Sequence, residues 1–557
     1  MKKKWLVLCS KKITKKSSEK KIISLLLKNR EISVDSLLDA SSAKDLDGSL
    51  AGIKKSSLKK AVKLINEIGK KKRRSRVFDA NIIVYGDYDA DGLCATAILW
   101  QALWQKKFNV LPYIPDRIND GYGINPQTIK KLKNKYPDLA LIITVDNGIV
   151  AHKAVKFARK QGIKVIITDH HLPPPRGDLP LAEVIVHSVK LSGSGVAWFL
   201  AREFGYRDLD LAAIGTIADM LPLQEVNRNL VKLGLSDLGQ TRKIGLKLLM
   251  QRANLSRSGG GILPWQVSFI LAPRLNAVGR LADAMDGLRL LCTVNREKAT
   301  VLAGRLDEIN KKRQQITNSC LERARKKVGS SKEKLILTAD KSYHQGIIGL
   351  VAGKLAQEFY RPAIVIWRGD GYSKGSARSV SGCNIIELIR KAKDLLVDLG
   401  GHPMAAGFTI ETKNIEKFIR QMKKIAEKRI KPKLLIPQLK IDFEIDFSLI
   451  NENFYQLISK LAPFGFGNPE PVFLLRNARV TNLRTMGKSE QHLKLWLDDP
   501  RTPVVERLAA EAVGFGWGKW RDKLLPGGLV DLVFNLNLNH WNGRETIQLK
   551  IKDLRKA

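Results

Sequence analysis

A chain of 557 residues is too long for one hydrophobic core, which excludes a single small domain and predicts several of ordinary size. Its hydrophobic content of 44% excludes a disordered or fibrous chain, and no apolar run approaches the ~20 residues of a membrane span. Lys and Arg number 96 against 54 Asp and Glu, a formal charge of +42, which points to a polyanionic partner, nucleic acid first, with a general lysine bias as the plain alternative. The cysteines (Cys9, Cys94, Cys292, Cys320, Cys383) lie far apart, with no Cys-x-x-Cys pair and an odd total, as in reduced thiols of a cytoplasmic protein. The opening Met1-Lys-Lys-Lys-Trp-Leu-Val-Leu-Cys9 mimics a signal peptide, but Lys11 and Lys12 cut its apolar stretch short, so the expectation is a soluble, cytoplasmic chain.

Residues 1–80 read as a basic, mainly helical N-terminal region closing in Lys70-Lys-Lys-Arg-Arg-Ser-Arg76, either a contact for a nucleic-acid backbone or a solvated charge run. From 81 to 225 strand-like and helix-like segments alternate, with strands at 81–86, 139–145, 163–168 and Glu183-Val-Ile-Val186, predicting a parallel sheet with helices on both faces. Residues 226–330 read as a helical region ending in a long connecting helix from about Asn295 to Lys327. A second α/β domain follows over 331–430, carrying Lys334-Leu-Ile-Leu-Thr338, Pro362-Ala-Ile-Val-Ile-Trp367 and a glycine-rich stretch from Gly400 to Gly407. Short strands over 431–557 suit a small antiparallel barrel.

The chemistry concentrates at strand exits. Asp87, Asp89 and Asp91 crowd into Gly86-Asp-Tyr-Asp-Ala-Asp-Gly92, Asp146 ends the next strand in Asp146-Asn-Gly148, and Asp169-His170-His171 ends the third. A helical run over 208–219 then delivers Asp219. In a parallel sheet ligands sit outside the carboxyl ends of the strands, where these residues collect. Carboxylates suit Mg²⁺ or Mn²⁺, and imidazole in the set tilts the choice to Mn²⁺. Two ions ~3.5–4 Å apart, bridged by a shared carboxylate, support phosphate-ester hydrolysis, and Asp146 on the middle strand is the expected bridge. Taken singly, Asp87 or Asp169 reads equally as a helix cap and His171 as a hydrogen-bonded loop histidine; the conjunction favours metal. Arg117, Arg274, Arg280 and Arg378 sit in glycine-bearing turns and suit phosphate, although any one alone reads as a surface arginine. Gly349-Leu-Val-Ala-Gly-Lys354 followed by Leu355 has the wrong spacing for a nucleotide-triphosphate loop.

At these residues the chain resembles the DHH phosphoesterase superfamily and, within it, the RecJ family of single-strand-specific exonucleases. Over residues 25–557 the family's motifs occur in order: Gly-Asp-Tyr-Asp-Ala-Asp-Gly, Val145-Asp-Asn-Gly-Ile149, Asp169-His-His, Ile214-Gly-Thr-Ile-Ala-Asp219, Pro273-Arg-Leu-Asn-Ala-x-Gly-Arg280, Gly375-Ser-Ala-Arg-Ser379, Gly401-His402, Pro463-Phe-Gly-x-Gly-Asn-Pro469 and Asn542-Gly-Arg544. The resemblance implies an α/β chain in which a parallel-sheet DHH catalytic domain is joined by a long helix to a DHHA1 domain, with a C-terminal OB-fold barrel. It implies metal-dependent 5′→3′ release of 5′-mononucleotides from single-stranded DNA in repair and recombination. Asp87, Asp89, Asp91, Asp146, His170 and Asp219 would hold two Mn²⁺ or Mg²⁺ ions; Asp146, Asp91 and His171 would be catalytic, His171 on the scissile phosphate. The implied substrate set is Arg117, Arg274, Asn276, Arg280, Ser376, Arg378, Gly401 and His402, with Arg117, Ser376 and Arg378 on the 5′ phosphate and His402 facing the site from the second lobe. Trp496, Trp517, Trp520 or Trp541 would offer stacking surfaces, with burial in the barrel as the competing reading. Implied partners are single-stranded DNA, a single-strand-binding protein and a helicase, with a monomeric enzyme.

The chain departs from the family pattern at Tyr343-His344, where Trp-His is usual, and at His187-Ser188, where Asn-Pro is usual, which puts the local path to the substrate in question. Two other readings stand beside this one: a DHH hydrolase of short oligonucleotides, cyclic dinucleotides or pyrophosphate, and a catalytically silent single-strand-binding relative. The barrel and the basic surface weigh against the first, and the full set of ligand carboxylates against the second.

Overall fold

The computed structural model describes residues 3–34, 42–69, 80–117, 119–174, 177–255, 261–329, 333–503, 509–541 and 544–557. The chain forms two compact units, the larger made of Val7–Asp307 with Lys440–Ala557 and the smaller of Met1–Leu6 with Glu308–Leu439. Strand β1 (Lys4–Ile13) opens the chain, with exposed and half-buried residues alternating along it.

In the larger unit β2 (Ile82–Tyr85), β3 (Val110–Tyr113), β4 (Leu141–Val145), β5 (Lys164–Asp169) and β6 (Val184–His187) form an all-parallel sheet in the order β3-β2-β4-β5-β6. Ile82 to Tyr85 and Leu141 to Val145 are buried throughout, as an apolar run covered on both faces must be. The register pairs Tyr85 with Thr144, Val145 with Thr168 and Asp169 with His187, so β2, β4 and β5 end level and their exits open side by side. Helix Ala90–Gln105 is buried along most of its first three turns and packs against helices Gly193–Arg202 and Asp210–Ala218.

Helices Glu225–Gly239, Ile244–Arg252 and Met285–Cys292 follow in the region expected to be helical, together with Ala272–Leu281, which a π turn, Val267–Leu271, precedes. The expected connector is one continuous helix of 33 residues, Arg296–Val328, which carries the chain into the smaller unit. That unit folds β7 (Ile336–Asp340), β8 (Ala363–Trp367), β9 (Tyr372–Arg378), β10 (Leu396–His402) and β11 (Ala405–Glu411) into a mixed sheet ordered β10-β11-β9-β8-β7. Helices Ile348–Phe359, Ile385–Arg390 and Ile415–Arg429 complete it; Ile364, Phe408 and Phe418 lie in its core.

Back in the larger unit, β12 (Gln438–Ile445) leads to β13 (Phe473–Met486), β14 (His492–Asp498), β15 (Ala510–Gly514), β16 (Leu529–Trp541) and β17 (Arg544–Lys556). The order β13-β14-β15-β17-β16, with β16 returning to β13, closes a five-stranded barrel. Phe443, Phe473 and Phe534 fill it, and Ile13, Ile22 and Leu26 from the start of the chain belong to the same core. Asp446 N donates to Ile13 O at 2.9 Å, and Arg30 pairs with Asp442 at 2.8 Å, both side chains buried. The expectation of a mainly helical region over 1–80 is therefore corrected at its start. Trp5, Val7 and Cys9 follow the period of two of a half-buried strand, which lies against the barrel edge. Lys70–Arg76 lies outside the described residues, as do Asn542 and Gly543 and the side chains of Trp541 and Arg544.

Pro463–Pro469 joins the barrel to the helices. Leu223 N donates to Phe466 O at 2.8 Å, Gln224 Nε2 to Gly467 O at 2.7 Å, and Arg228 Nη2 to Ala462 O at 2.9 Å. Among the described residues no helix is long and apolar enough to cross a membrane.

Candidate metal centre

Each strand exit delivers its acid differently. Asp87 follows β2 and is buried, Oδ1 accepting from Tyr88 N at 2.8 Å. Asp89, rather than Asp87, caps helix Ala90–Gln105, Oδ1 accepting from Asp91 N and Gly92 N at 3.0 Å each. Asp91, buried in the first turn, accepts from Gly193 N at 2.6 Å and Ser194 N at 3.0 Å, which ties it to the start of helix Gly193–Arg202. Asp146 follows β4 with φ of +63°, in the left-handed region, and its buried Oδ1 accepts no hydrogen bond. His170 Nε2 stands 3.1 Å from that oxygen without hydrogen-bonding geometry, and 3.6 Å from Asp219 Oδ2. Asp219 reaches it from the C-cap of helix Asp210–Ala218.

Ligand atoms within 4.8 Å of one another form three sets: Asp87, Asp89 and Asp146; Asp91, His170 and Asp219; and Asp146, His170 and His171. Burial, then the neighbouring carboxylates, holds Asp146 well above the usual carboxylate range, and the same causes lift Asp219 to about 8. Burial, then Asp89, raises Asp87, and burial raises Asp91 despite the help of His170 and Ser194. Burial keeps the His170 imidazole below its ordinary value, in the neutral form that binds metal. Crowded carboxylates that resist ionisation, an orphaned buried oxygen and a neutral imidazole fit a hard divalent cation of the Mg²⁺ or Mn²⁺ type.

Glycines make room for these acids. A Cβ at Gly193 would lie 2.3 Å from Asp146 Oδ1, and one at Gly215 2.1 Å from Asp91 Oδ1. Neither is given a role by the sequence, although Gly215 lies in the Ile214–Asp219 motif, because a glycine in a loop or helix reads as a turn or a packing residue, and its function here is the space it leaves. Asn147, which its motif includes without a role, donates from Nδ2 to Val145 O at 2.9 Å and Gly86 O at 3.2 Å, joining the exits of β4 and β2.

His171 belongs to a second arrangement. Its Nδ1 lies 2.8 Å from Asp169 Oδ1, and its Nε2 3.1 Å from the Tyr122 hydroxyl, a tyrosine the sequence does not single out. Burial alone would push this imidazole down; the hydrogen bond and charge of Asp169, with Asp219 and Asp87 beyond, lift it to about 9. Asp169 also accepts from Ile149 N at 2.8 Å, so it orients His171 and lies outside the three ligand sets. Arg117 lies over the Tyr88 ring at 4.9 Å, and the charge of Arg280 reaches the same phenol. Asn276 Oδ1 accepts from Ala90 N at 2.8 Å and so steadies the turn bearing Asp89 and Asp91. Arg274 is engaged by Asp307 at 3.0 Å and by Ile270 O at 2.7 Å.

Within the smaller unit, β9, β11 and β10 align Arg378 with Ala405 and His402, and Ala377 with Ala406 and Gly401. Arg378 Nη1 donates to Ser376 Oγ at 3.1 Å, and a Cβ on Gly349 would lie 2.9 Å from Arg378 Nη2, so the guanidinium sits over the start of helix Ile348–Phe359. Gly401, at φ of +141°, leaves no room for a Cβ, which would lie 2.3 Å from Ala405 O. Burial, then Arg378, lowers the His402 imidazole. Ser376, Arg378, Gly401 and His402 thus form a cluster of their own.

A parallel sheet that gathers Asp and His at its strand exits is the architecture of the DHH class: residues 81–222 match the DHH family N-terminal domain, 332–428 the DHHA1 domain and 441–553 the RecJ OB domain. The chain is 32% identical over 562 residues to the single-stranded-DNA-specific exonuclease RecJ of Escherichia coli, covering 92% of this chain and 93% of that one. It is 37% identical over 492 residues to the Bacillus subtilis RecJ, covering 85% of this chain and 61% of that longer relative. The crystal structure of RecJ in complex with Mn²⁺ from Thermus thermophilus superposes with a TM-score of 0.77 at 29% identity, covering all of this chain and 80% of that one. The chain belongs to the RecJ family.

Proposed function

We propose that this chain is a metal-dependent 5′→3′ exonuclease that hydrolyses single-stranded DNA to 5′-mononucleotides, acting in DNA repair and recombination. The observation that carries the reading is Asp146: a buried carboxylate with an unsatisfied oxygen, shared between two sets of ligand atoms at the edge of a parallel sheet. Asp87, Asp89 and Asp146 would hold one ion and Asp91, His170 and Asp219 the other; His170, 3.1 Å from Asp146 Oδ1, belongs to a set with Asp146 as well as to the second, which places Asp146 beside both. Bound there, two Mn²⁺ or Mg²⁺ ions supply an activated water and offset the charge of the reacting phosphate.

The chain's own groups do the rest. His171, kept protonated by Asp169, donates to an oxygen of the scissile phosphate. Arg117 and Arg280 attract the strand to the acids, while Asn276 and Arg274 fix the helices that carry the turn. In the smaller unit Arg378, Ser376, Gly401 and His402 bind the 5′-terminal phosphate, a site that would set polarity. On the barrel, half-exposed Trp496 carries Arg484 over its ring at 5.4 Å and Lys494 at 4.8 Å, a cationic patch that suits the sugar–phosphate backbone. Trp517 and Trp520 pack on the barrel core and contribute less. The enzyme works as a cytoplasmic monomer alongside a single-strand-binding protein and a helicase.

Single-stranded and duplex DNA of equal length, labelled at either end and incubated with Mn²⁺, Mg²⁺ or EDTA, tests this. The expected result is metal-dependent mononucleotide release from the 5′ end of the single strand. Release from the 3′ end, or equal attack on duplex, would overturn the polarity or the strand preference; binding without cleavage under either ion would make the chain a silent relative.

A further inference from the structure

The larger unit exposes apolar side chains that the metal centre does not use. Trp265, Phe269, Phe466 and Met220 are 50%, 77%, 55% and 59% exposed. All four line one crevice of about 270 Å³, and no charged residue lines it. Scattered apolar residues on a surface need no explanation, but four aromatic rings around one crevice, three of them exposed, mark a binding surface.

The local backbone presents these groups outward. Trp265 and Phe269 are four residues apart across the π turn Val267–Leu271, so they share a face, and such turns recur at functional sites. Met220 has φ of +59°, a conformation glycine usually supplies after a helix, yet here a long thioether is carried into the crevice. Met220 directly follows Asp219, and Ile217 two residues before Asp219 lines the same crevice. One turn therefore brings Asp219 within 3.6 Å of His170 and carries Met220 to the aromatic rings.

We infer that this crevice is a base-stacking subsite for the single strand whose phosphate lies at the metal centre, an inference that rests on the nuclease reading above. Continuity with Asp219 favours this occupant over a protein: Ile217 and Met220, on either side of Asp219 in the chain, line the crevice, so a strand engaged at Asp219 borders it. Its bases, unpaired and unstacked, are flat, apolar-faced and variable in sequence. Exposed rings with an uncharged lining receive any of them, since every base has a stacking face. A phosphate would find no cation in the crevice, so the sugar–phosphate backbone runs outside it.

The test uses the full-length protein in EDTA, so that strands bind without being cut, and compares 5′-phosphorylated oligothymidylate with a strand of equal length that is abasic beyond its first nucleotide. Wild type is expected to prefer the base-bearing strand by roughly tenfold or more, the scale of one or two stacking contacts. Phe269→Ala and Trp265→Ala should each cut that preference roughly fivefold or more while leaving the abasic strand bound as before, and Phe269→Tyr should restore it. An unchanged preference in both alanine variants, which would leave the crevice to a protein partner, or equal weakening on both strands, overturns the inference. Mononucleotide release by wild type in Mn²⁺ is measured alongside. Its presence with an unchanged preference rejects the subsite alone, and its absence rejects the nuclease reading on which the subsite rests.

Discussion

Asp146 combines a costly conformation with a costly charge. A non-glycine residue at positive φ is strained, and a buried carboxylate without a hydrogen-bond partner strongly resists ionisation. Asn is at home in the left-handed region and has nearly the same shape, so Asp146→Asn removes the charge and little else. Asp219 lacks the strained backbone, but desolvation and the charges of Asp91 and Asp89 lift its carboxyl as well, from 3.8 to about 8. A carboxyl raised by folding binds its proton more tightly in the native state. Ionising it therefore lowers stability as pH rises from about 4 towards 8, and a bound cation returns that loss. In EDTA, Asp146→Asn should melt above wild type at pH 8. Mn²⁺ should raise the wild-type Tm more at pH 8 than at pH 5, and raise that of the variant little at either. Hydrolysis by the variant should fall at least about a hundredfold, as expected when a metal ligand is lost. A variant that melts below wild type without metal would show that the acid cluster is stabilised by some other charge.

At the scale of elements, the strands carrying the site were legible because both faces of a parallel sheet are covered. Ile82-Ile-Val-Tyr85 and Leu141-Ile-Ile-Thr-Val145 are unbroken apolar runs, and the acids that follow stand out against them. Strand β1 was harder to read because Lys3, Lys4, Lys11 and Lys12 bracket its apolar residues. Its partner strand, β12, lies at the far end of the chain, a separation that no local pattern encodes. Arg30 is another such case: it donates to Asp442 Oδ1 at 2.8 Å, Leu26 O at 2.8 Å and Pro469 O at 3.0 Å, fixing helix Glu19–Asn29 to the barrel. Removing one member of a buried pair leaves the other charge uncompensated. Arg30→Ala should cost about 3 kcal/mol in urea unfolding and loosen the barrel first, seen as faster amide exchange in β12 and β13. A loss below about 1 kcal/mol, the scale of surface pairs, would mean that the N-terminal helix is held by its apolar face alone.

Across the whole molecule the charge of +42 and the acid cluster pull in opposite directions. A basic surface attracts a polyanion with or without metal, while the knot of Asp opposes that attraction locally, an opposition that bound cations would relieve. The sequence revealed the donor types and their positions at strand exits, because metal chemistry restricts which residues can serve. It left unmarked the space around them at Gly193 and Gly215 and the Tyr122 contact to His171, since these depend on distances between segments far apart in the chain. Aromatic residues such as Phe269 read from sequence as core, and only their exposure separates them from it. Two ions at one sheet edge are the centre of the proposed chemistry, and anomalous scattering from crystals soaked in Mn²⁺ tests for them most directly. The expected map holds two peaks about 3.5–4 Å apart, one among Asp87, Asp89 and Asp146 and the other among Asp91, His170 and Asp219. A map with no peak beside Asp146, or with Mn²⁺ bound only elsewhere, would contradict it.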